Sequence, residues 1–412
     1  MTISNAFDIL KQRGFVKQAT SEAAVKEAFE KGQVTVYIGF DPTADSLHVG
    51  NLICLMALAN LQRAGHRIIA VIGDGTTMIG DPSGKTELRK MLSREQILVN
   101  AAKIKTQISQ YVTFDEKNGL AVHNSDWLLK LNHVDFLREI GACFSVNRML
   151  SAEAYRSRME TGLSFLEFNY QILQAYDFLQ LYRNYGCTVQ LGGDDQWGNI
   201  LAGVDLVRRK ESAAAEGVTW PLLTTASGAK MGKTANGAVW LDPDKTSPYE
   251  FYQYWINCHD RDAGRFLAFF TFLPMDEVGQ LADLEGADIR QAKEILAFEA
   301  TTIVHGEEEA RKAQLAARSA FGGAEKGVDN IPHSTIALEV LKNGMFASDL
   351  FAEAGLAKSK GEARRLIKQG GAYLNDEKIS DTEQKIFDDL LVDGAMVLRA
   401  GKKRYHRVIC KE

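Results

Sequence analysis

The sequence lacks the features that would indicate a membrane or secreted protein. None of its apolar runs approaches the roughly 18 residues needed to span a bilayer, and its N-terminus has no hydrophobic segment of the signal-peptide kind. Its five cysteines are scattered without C-x-x-C spacing: Cys54, Cys143, Cys187, Cys258 and Cys410. Such cysteines are typical of reduced thiols, so neither a disulfide framework nor a protein-bound zinc or other metal is expected. These absences favour a cytoplasmic protein without a membrane partner.

The chain of 412 residues is otherwise ordinary in composition, with 45% hydrophobic and 25% charged residues. This length predicts two or three domains. The net charge is −5, but residues 355–412 hold 13 Lys+Arg against 9 Asp+Glu, which leaves 35 against 44 for the remainder. A basic tail on an acidic body suggests that the tail meets a polyanion, although so small a surplus also suits mere solubility.

The stretch from Val34 to Asn51 predicts a strand, a turn and the start of a helix. Residues 34–38 are β-branched or aromatic, Asp41-Pro42-Thr43 favours a turn, and Ser46 is suited to cap a helix that runs to Gly65. Residues 67–72 then form a second apolar run. A strand, helix and strand in this order indicate a parallel sheet, and hence an α/β fold.

The first turn of that helix is a candidate nucleotide site. Backbone N–H groups and the helix dipole attract phosphate there, and Gly50 lets a flat base or a ribose approach closely. His48 and Asn51 are three residues apart and can donate hydrogen bonds to one polyphosphate. The alternative is a capped helix with a surface histidine.

Three further segments have residues suited to ligand binding. A glycine-rich loop over residues 73–84 contains Asp81, and Lys85 and Arg89 follow it four residues apart, where they could bind phosphate or form a solvated basic face. The helix predicted for residues 165–185 places Tyr170, Gln174 and Asp177 on one stripe, either a pocket wall or a polar face. Residues 188–199 form a strand, a glycine turn and a helix start, with Asp195 suited to ribose hydroxyls.

A cationic loop covers residues 227–237. Lys230 and Lys233 flank Gly232 among small residues, so the loop is expected to be mobile and able to close on a polyphosphate. It is not a P-loop, because the G-x-x-x-x-G-K-[ST] frame is absent. An ordinary flexible loop is the alternative.

The order of the predicted elements divides the chain into four parts. Residues 1–246 are expected to form a Rossmann-like parallel-sheet domain with an insertion at about 120–165, and residues 247–321 are expected to be all helical. Residues 322–344 are a linker, and residues 345–412 are a small α+β RNA-binding domain. In the insertion, Phe144 and Phe165 are expected to lie either in the core or on a dimer face.

The tail has basic residues in two groups that suit an RNA backbone. Lys360, Arg364 and Lys368 are spaced as one stripe of a helix that begins with a capping box at Ser359. The second group follows Gly401 and has Tyr405 and His406 interleaved: Lys402, Lys403, Arg404 and Arg407.

Taken together, these motifs resemble those of a known family. The order of His48-Val-Gly-Asn51, Gly192-Gly-Asp-Asp-Gln-Trp-Gly-Asn199 and Lys230-Met-Gly-Lys-Thr234 resembles the class I aminoacyl-tRNA synthetases. The segments Tyr37-x-Gly-Phe-Asp-Pro-Thr, Gly80-Asp-Pro-Ser-Gly-Lys85 and Leu173-Gln-Ala-Tyr-Asp177 resemble bacterial-type tyrosyl-tRNA synthetases. The resemblance covers essentially the whole chain, and the tail is similar to the αL-type RNA-binding module.

The resemblance implies a tyrosine–tRNA ligase. Such an enzyme activates L-tyrosine with ATP to tyrosyl-adenylate and pyrophosphate, and then transfers the tyrosyl group to tRNA(Tyr). It further implies that residues 1–246 are the catalytic domain, with a connective insertion through which the chain forms a homodimer. It also implies that Mg²⁺ accompanies the substrate ATP and that the helical domain faces the anticodon.

The resemblance also assigns roles to residues. Tyr37 and Asp177 would hold the substrate phenol, Asp81, Tyr170 and Gln174 the ammonium group, and Gln196 would lie by the carboxylate. The groups at the triphosphate would be Thr43, His48, Asn51, Lys85, Arg89, Lys230, Lys233 and Thr234. The remaining ATP contacts would be Gly39, Asp41, Gly50, Gly193 and Asp195, together with Lys233.

Two positions depart from the family pattern. Asn51 replaces the second histidine of H-x-G-H, and Gly232 replaces the central serine of K-M-S-K-S, with Thr234 in place of the final serine. An amide can still donate, whereas glycine is expected to make the loop looser. Rival interpretations are a tryptophanyl-tRNA synthetase, another adenylate-forming or nucleotidyl-forming enzyme, and a non-enzymatic RNA-binding protein. The pair Tyr37 and Asp177 counts against the first, because an indole pocket would not need both. The RNA-binding tail counts against the second, and the presence of both loop lysines counts against the third.

Overall fold

The computed structural model describes residues 5–83, 92–159, 162–226, 228, 231–234, 237–321, 332–375, 377–392, 394–401 and 404–411. Within these ranges no helix combines the length and the apolar character needed to cross a membrane.

Helices account for most of the regular structure. In chain order they are α1 (Ala6–Gln12), α2 (Glu22–Lys31), α3 (Val49–Arg63), α4 (Asp74–Thr77), α5 (Arg94–Ile108), α6 (Ser125–Leu128), α7 (His133–Glu139), α8 (Val146–Leu150), α9 (Glu153–Met159), α10 (Phe165–Phe168), α11 (Tyr170–Tyr185), α12 (Trp197–Glu211), α13 (Pro248–Ile256), α14 (Asp260–Phe270), α15 (Met275–Ala282), α16 (Ile289–His305), α17 (Glu307–Phe321), α18 (Leu338–Lys342), α19 (Ala347–Glu353) and α20 (Lys360–Lys368).

The strands are short. They are β1 (Gln18–Ala19), β2 (Thr35–Phe40), β3 (Arg67–Ile72), β4 (Gly119–His123), β5 (Cys187–Gly193), β6 (Glu216–Trp220), β7 (Lys233–Thr234), β8 (Gly237–Ala238), β9 (His333–Ala337), β10 (Met345–Phe346), β11 (Ala372–Leu374), β12 (Glu377–Lys378), β13 (Lys385–Ile386), β14 (Ala395–Ala400) and β15 (Arg404–Lys411).

The main sheet has the strand order β1-β6-β5-β2-β3-β4, in which β1 alone is antiparallel to its neighbour. The predicted parallel sheet is therefore confirmed. β2 and β3 are apolar along most of their length because helices cover both faces of such a sheet. The strand order reverses between β2 and β5, so the carboxyl ends of these two strands form the crevice where open α/β sheets bind ligands.

β4 pairs with β3 as the edge of the main sheet, and the insertion expected at about 120–165 follows this strand. One boundary in this part of the chain differs from the predicted one. The single helix predicted for residues 165–185 is two helices, because Ser164 and Glu167 form a capping box on the short α10 before α11 begins at Tyr170.

The chain folds into two compact units. The first consists of Met1–Lys245 and His259–Ala292, and the second of Thr246–Cys258 and Lys293–Glu412. The helices predicted over 247–321 are all present, but α14 and α15 belong to the unit of the main sheet, whereas α13 and α17 belong to the other. Apart from its linker, the four-part division stays a prediction.

The end of the second unit is a five-stranded sheet of order β12-β11-β14-β15-β9, with α19 and α20 sharing its apolar core. β9 runs parallel to β15 between residues 333 and 337, and α18 follows it. The predicted linker over 322–344 is therefore wrong for its second half, because these residues pair into the sheet. The predicted fold class, a Rossmann-like α/β part with helices and a small α+β part, is confirmed.

Candidate active site

The centre of the candidate site is a buried pair, Tyr37 of β2 and Asp177 of α11. Tyr37 is 2% exposed and Asp177 is 4% exposed. The Tyr37 ring lies 5.2 Å from the ring of Phe178, measured between centroids. Among the described residues, the Tyr37 hydroxyl has no hydrogen-bond partner. A buried hydroxyl without a partner costs free energy unless a ligand satisfies it, so this end of the crevice is suited to a polar ligand atom.

Two donors hold the Asp177 carboxylate. The Asn124 amide donates to Oδ2 at 2.9 Å and the Trp127 indole N–H donates to Oδ1 at 2.7 Å. Burial raises the pKa of Asp177 to about 7, while these two donors pull it down and the charges of Asp41 and Asp74 add to the rise. The ionised carboxylate is an acceptor aimed by its neighbours, and its charge state changes near neutral pH.

A hydrogen-bonded chain continues from Asn124 towards the turn after β2. The Asn124 amide also donates to Thr76 Oγ1 at 3.0 Å, and Thr76 donates to Asp41 Oδ1 at 2.8 Å. The Tyr170 hydroxyl donates to the other Asp41 oxygen at 2.9 Å. Asp41 therefore lies in the network that includes Tyr170 and Asp177, although it was predicted as an ATP contact.

A second polar cluster surrounds Asp81. Gln196 donates to Asp81 Oδ2 at 2.8 Å, and the Ser83 amide N–H donates to Oδ1 at 2.9 Å. Asn199 joins the cluster to α11 by donating to Gln174 Oε1 at 3.0 Å and to Gln196 Oε1 at 3.2 Å. Three of the residues predicted to bind tyrosine are thus brought together: Asp81, Gln174 and Gln196.

The start of α3 is capped by His48, and not by Ser46 as predicted. His48 Nδ1 accepts from the Gly50 N–H at 3.0 Å, and the Asn51 side chain accepts from the His48 N–H at 3.1 Å. The Val49 N–H donates to the Val239 carbonyl at 2.9 Å. These N–H groups are engaged within the protein, so the expectation that they would bind phosphate is wrong. With Nδ1 accepting, the neutral ring holds its proton on Nε2 and can donate there.

Part of the cationic loop lies directly on this helix start. Gly232 has φ +84°, and a Cβ built on it would lie 2.9 Å from the Gly50 nitrogen and 3.4 Å from His48 Nδ1. The Val239 N–H donates to the Gly232 carbonyl at 3.0 Å. The expectation that Gly232 loosens the loop is wrong, because this position needs glycine for its backbone angle and its close approach.

The remaining predicted ATP residues occupy the carboxyl ends of β2 and β5. Gly39 of β2 is exposed, and a Cβ on it would meet nothing within 4 Å. Asp195 lies against Gly193 and near Cys54 of α3. Burial, with Asp195 as a further contribution, raises the pKa of Cys54 to about 12. Thr43 is exposed in the turn after β2.

Several predicted residues cannot be placed in this arrangement. Lys85, Arg89, Lys230, Lys402 and Lys403 lie outside the described residues. Lys233 and Thr234 form β7, which pairs with β8, and only their backbone is described. Within the described ranges, no group of three His, Cys, Asp or Glu residues could hold a metal ion.

The predicted RNA-binding residues of the tail that the structure describes lie on α20 and β15 of the second unit. On α20, Lys360 forms an ion pair with Asp349 at 2.9 Å, Arg364 lies 3.9 Å from Glu383, and Lys368 is exposed. Arg404 and Arg407 belong to β15, the first exposed and the second half-buried. The helix stripe is present as predicted, but carboxylates partly neutralise it.

The sequence interpretation missed Asn124, Trp127 and Asn199. Asn124 and Trp127 directly follow β4, at the same edge of the sheet as the other ligand-binding loops, so the position after that strand could have indicated them. Asn199 is inside the motif that resembles the family, but its part in joining Gln174 to Gln196 depends on the packing of α11 against α12.

Comparisons with known proteins agree with this geometry. Residues 30–322 match the family of class I tRNA synthetases for tryptophan and tyrosine (W and Y), and residues 324–408 match the C-terminal domain of tyrosine–tRNA ligases of the SYY-like type. The chain is 54% identical over 407 residues to a tyrosine–tRNA ligase of Clostridium botulinum strain Loch Maree, covering 99% of this chain and 100% of that one.

Two further relatives extend the comparison. A tyrosine–tRNA ligase of Caldanaerobacter subterraneus is 52% identical over 409 residues, with 99% of this chain and 100% of that one covered. The crystal structure of a C-terminally truncated mitochondrial tyrosyl-tRNA synthetase of Aspergillus nidulans superposes with a TM-score of 0.69 at 30% identity, covering 77% of this chain and 94% of that one. The chain therefore belongs to the tyrosine–tRNA ligases, within the class I tRNA synthetase family.

Proposed function

We propose that the crevice between β2 and β5 activates L-tyrosine with ATP and then transfers the tyrosyl group to tRNA(Tyr). In the first step a tyrosine carboxylate oxygen bonds to the α-phosphorus of ATP, and the bond to pyrophosphate breaks. In the second step a ribose hydroxyl of the tRNA attacks the activated carbonyl and releases AMP. No covalent bond to the enzyme is needed, so positioning and charge stabilisation supply the rate.

Recognition of the substrate side chain rests on Tyr37 and Asp177. The phenol hydroxyl of the substrate donates to the ionised Asp177 carboxylate and accepts from the Tyr37 hydroxyl. The single observation that supports this most strongly is the fully buried Tyr37 hydroxyl without a partner among the described residues, beside a carboxylate held by two donors. A side chain without a hydroxyl would leave both groups unsatisfied in a dry pocket.

The Asp81 cluster receives the charged end of the amino acid. Asp81 is 8% exposed, and a buried carboxylate near an open crevice is suited to an ammonium group. Tyr170 donates to Asp41, so its oxygen can still accept from the same ammonium. Gln174 can accept as well, while Gln196, fixed by Asp81 and Asn199, lies by the carboxylate.

The nucleotide lies at the carboxyl ends of β2 and β5, beside the side chains at the start of α3. Gly39 leaves room on the side of β2, whereas Gly50 is covered by His48 and Met231. Gly193 and Asp195 approach the ribose. His48 donates from Nε2, because its Nδ1 accepts from Gly50. The triphosphate and developing pyrophosphate are neutralised by cations and hydroxyl donors on the surrounding loops: Thr43, Asn51, Lys85, Arg89, Lys230, Lys233 and Thr234. Mg²⁺ enters as part of the ATP substrate.

The tail binds the tRNA backbone through its exposed basic residues. Lys368 on α20 and Arg404 on β15 are exposed, which supports this role. Lys360 and Arg364 contribute less where they remain paired with Asp349 and Glu383. Arg407, Lys402 and Lys403 complete the basic set.

The chain acts as a homodimer in the cytoplasm. The insertion and the following α10 expose large apolar side chains that a partner would cover: Val134 (69% exposed), Leu137 (44%), Val146 (57%), Phe165 (76%) and Leu166 (41%). Such a set on a single chain is suited to a two-fold interface. All five cysteines are free thiols, which suits a reducing compartment.

The decisive experiment is amino-acid-dependent exchange of pyrophosphate into ATP, measured with each amino acid in turn. Tyrosine should support exchange far better than phenylalanine; tyrosyl-tRNA synthetase is itself the standard example of such discrimination, at roughly 10⁵. Tryptophan is the control for the related specificity of this family. Equal exchange with tyrosine and phenylalanine would contradict the roles given to Tyr37 and Asp177.

A further inference from the structure

The outward face of the C-terminal sheet presents a row of alternating aromatic and cationic side chains. Tyr373 of β11 is directly opposite Arg399 of β14, which is directly opposite Tyr405 of β15. Directly opposite residues point to the same side of a sheet. The Arg399 guanidinium lies 3.6 Å above the centre of the Tyr373 ring and 6.0 Å from that of Tyr405.

A second row on the same face adds positive charge. Arg407 is opposite Val397, two residues from Arg399, and it is also opposite His333 of β9. His333 is exposed, whereas Arg407 and the three residues of the first row are half-buried. No Asp or Glu stands at the outward positions of the described strands of this sheet. The other face is the apolar core, where Met396, Leu398, Ala400 and Val408 are buried.

This arrangement differs in chemistry from the basic stripe of α20. The positive charges of α20 lie at the ends of long, flexible side chains, and two of these side chains lie beside carboxylates. The sheet instead holds a planar guanidinium between two phenol rings on neighbouring rigid strands. Planar groups of this kind stack on nucleic-acid bases, and a stacked Arg also attracts the phosphates around the base.

We propose that the sheet face formed by Tyr373, Arg399, Tyr405 and Arg407 binds an unpaired base of the tRNA by stacking. The α20 stripe contacts phosphates, while this sheet face holds a base that is not stacked within the RNA. The inference rests on the proposed tRNA-charging function and adds a second, chemically distinct contact to it. The flat aromatic row and its positive charge together select RNA as the partner, since an apolar protein surface offers neither a phosphate nor a base to match them.

The test is binding of the tRNA(Tyr) transcript to the full-length protein, followed by fluorescence anisotropy over a range of salt concentrations. Tyr373→Leu should weaken binding about tenfold or more, because one base loses its stacking partner. Tyr373→Phe keeps the ring and should bind as the unchanged protein does. Arg399→Lys keeps the positive charge but loses the planar guanidinium that stacks. It should therefore weaken binding, while the slope of log K against log salt stays that of the unchanged protein.

Lys368→Ala is the matched control on α20. It should lower the slope of log K against log salt by about 0.7–0.9, the value for one lost phosphate contact. Wild-type affinity for both Tyr373→Leu and Arg399→Lys would overturn the inference while leaving the proposed function intact. Failure of the unchanged protein to bind the tRNA would overturn both. If the Tyr373→Leu variant melts at a lower temperature than the unchanged protein, its weaker binding could reflect lost stability. The affinity of the Arg399→Lys variant then decides the test alone.

Discussion

Gly232 offers the sharpest test of how the cationic loop is joined to the helix start that it covers. Gly228 and Gly232 belong to the same loop and have nearly equal angles, φ +81° and +84°. A Cβ on Gly228 would meet no atom within 4 Å, whereas one on Gly232 would lie 2.9 Å from the Gly50 nitrogen. Replacing each glycine by alanine therefore distinguishes two effects. Gly228→Ala introduces backbone strain alone, whereas Gly232→Ala introduces the same strain and a clash with Gly50.

Both substitutions introduce a left-handed alanine, which costs about 1–2 kcal/mol. Gly232→Ala must in addition push the loop away from Gly50 and His48, and overpacking of this kind costs about 1–3 kcal/mol. If the loop is positioned through this contact, the rate of tyrosyl-adenylate formation should fall about 5- to 150-fold further for Gly232→Ala than for Gly228→Ala. Gly232→Ser, which restores the common family residue, should behave like the alanine variant.

The assay is a single turnover of tyrosyl-adenylate formation with saturating tyrosine and varied ATP. The effect should appear in the rate constant and in the ATP affinity, while tyrosine affinity, set by Tyr37 and Asp177, should stay unchanged. Equal losses for Gly228→Ala and Gly232→Ala would refute the reasoning, since strain alone would then explain them. A large loss of tyrosine affinity in Gly232→Ala would also refute it.

Three further predictions concern the active site and a fourth concerns the dimer. Trp127→Phe removes one donor to Asp177, which should reduce discrimination between tyrosine and phenylalanine by about 1.5–3 kcal/mol in the ratio of exchange rates; unchanged discrimination would show that Asn124 suffices. Because burial raises the pKa of Asp177 to about 7, its charged form is lost as pH falls through that value, so tyrosine affinity should weaken below pH 7 while phenylalanine affinity, measured by the same titration, should not. Lys233→Ala should slow adenylation by about 2.7–4 kcal/mol with tyrosine affinity nearly constant, and an equal loss in both would contradict a role limited to the transition state. Phe165→Asp should shift sedimentation from dimer to monomer at micromolar concentration, with wild type as the reference, because the interface would bury an unpaired charge; a monomeric wild type would contradict the dimer.

Local sequence patterns were sufficient to predict the strands and loops that form the candidate site. The β-branched run before Asp41 and the apolar run at 67–72 predict β2 and β3, because buried parallel strands need continuous apolar residues. The glycine-rich segments after β3 and β5 predict the ligand-binding edge, because the carboxyl ends of parallel strands meet there. The resemblance to a family assigned Asp81, Gln174, Gln196 and Asp177 to one substrate, and the structure brings the first three into one cluster.

Contacts between distant segments were not accessible from these patterns. That Asn124 and Trp127 hold the Asp177 carboxylate depends on β4 joining the sheet edge beside α11, about fifty residues away in sequence. The cap of α3 depends on competition between Ser46 and His48, which only the packing around Ser46 decides: its hydroxyl accepts from Gln107 and donates to the Leu47 carbonyl.

The sequence alone determined the α/β class, the order of the motifs and the family to which they belong, because strand and helix patterns and short motifs are local. Tertiary structure decided which side chains are partners. It turned Gly232 from a source of flexibility into a tight contact with Gly50, and residues 333–342 from a linker into a strand and a helix. Register, burial and close approach arise only when segments far apart in the chain meet, and no single segment contains them.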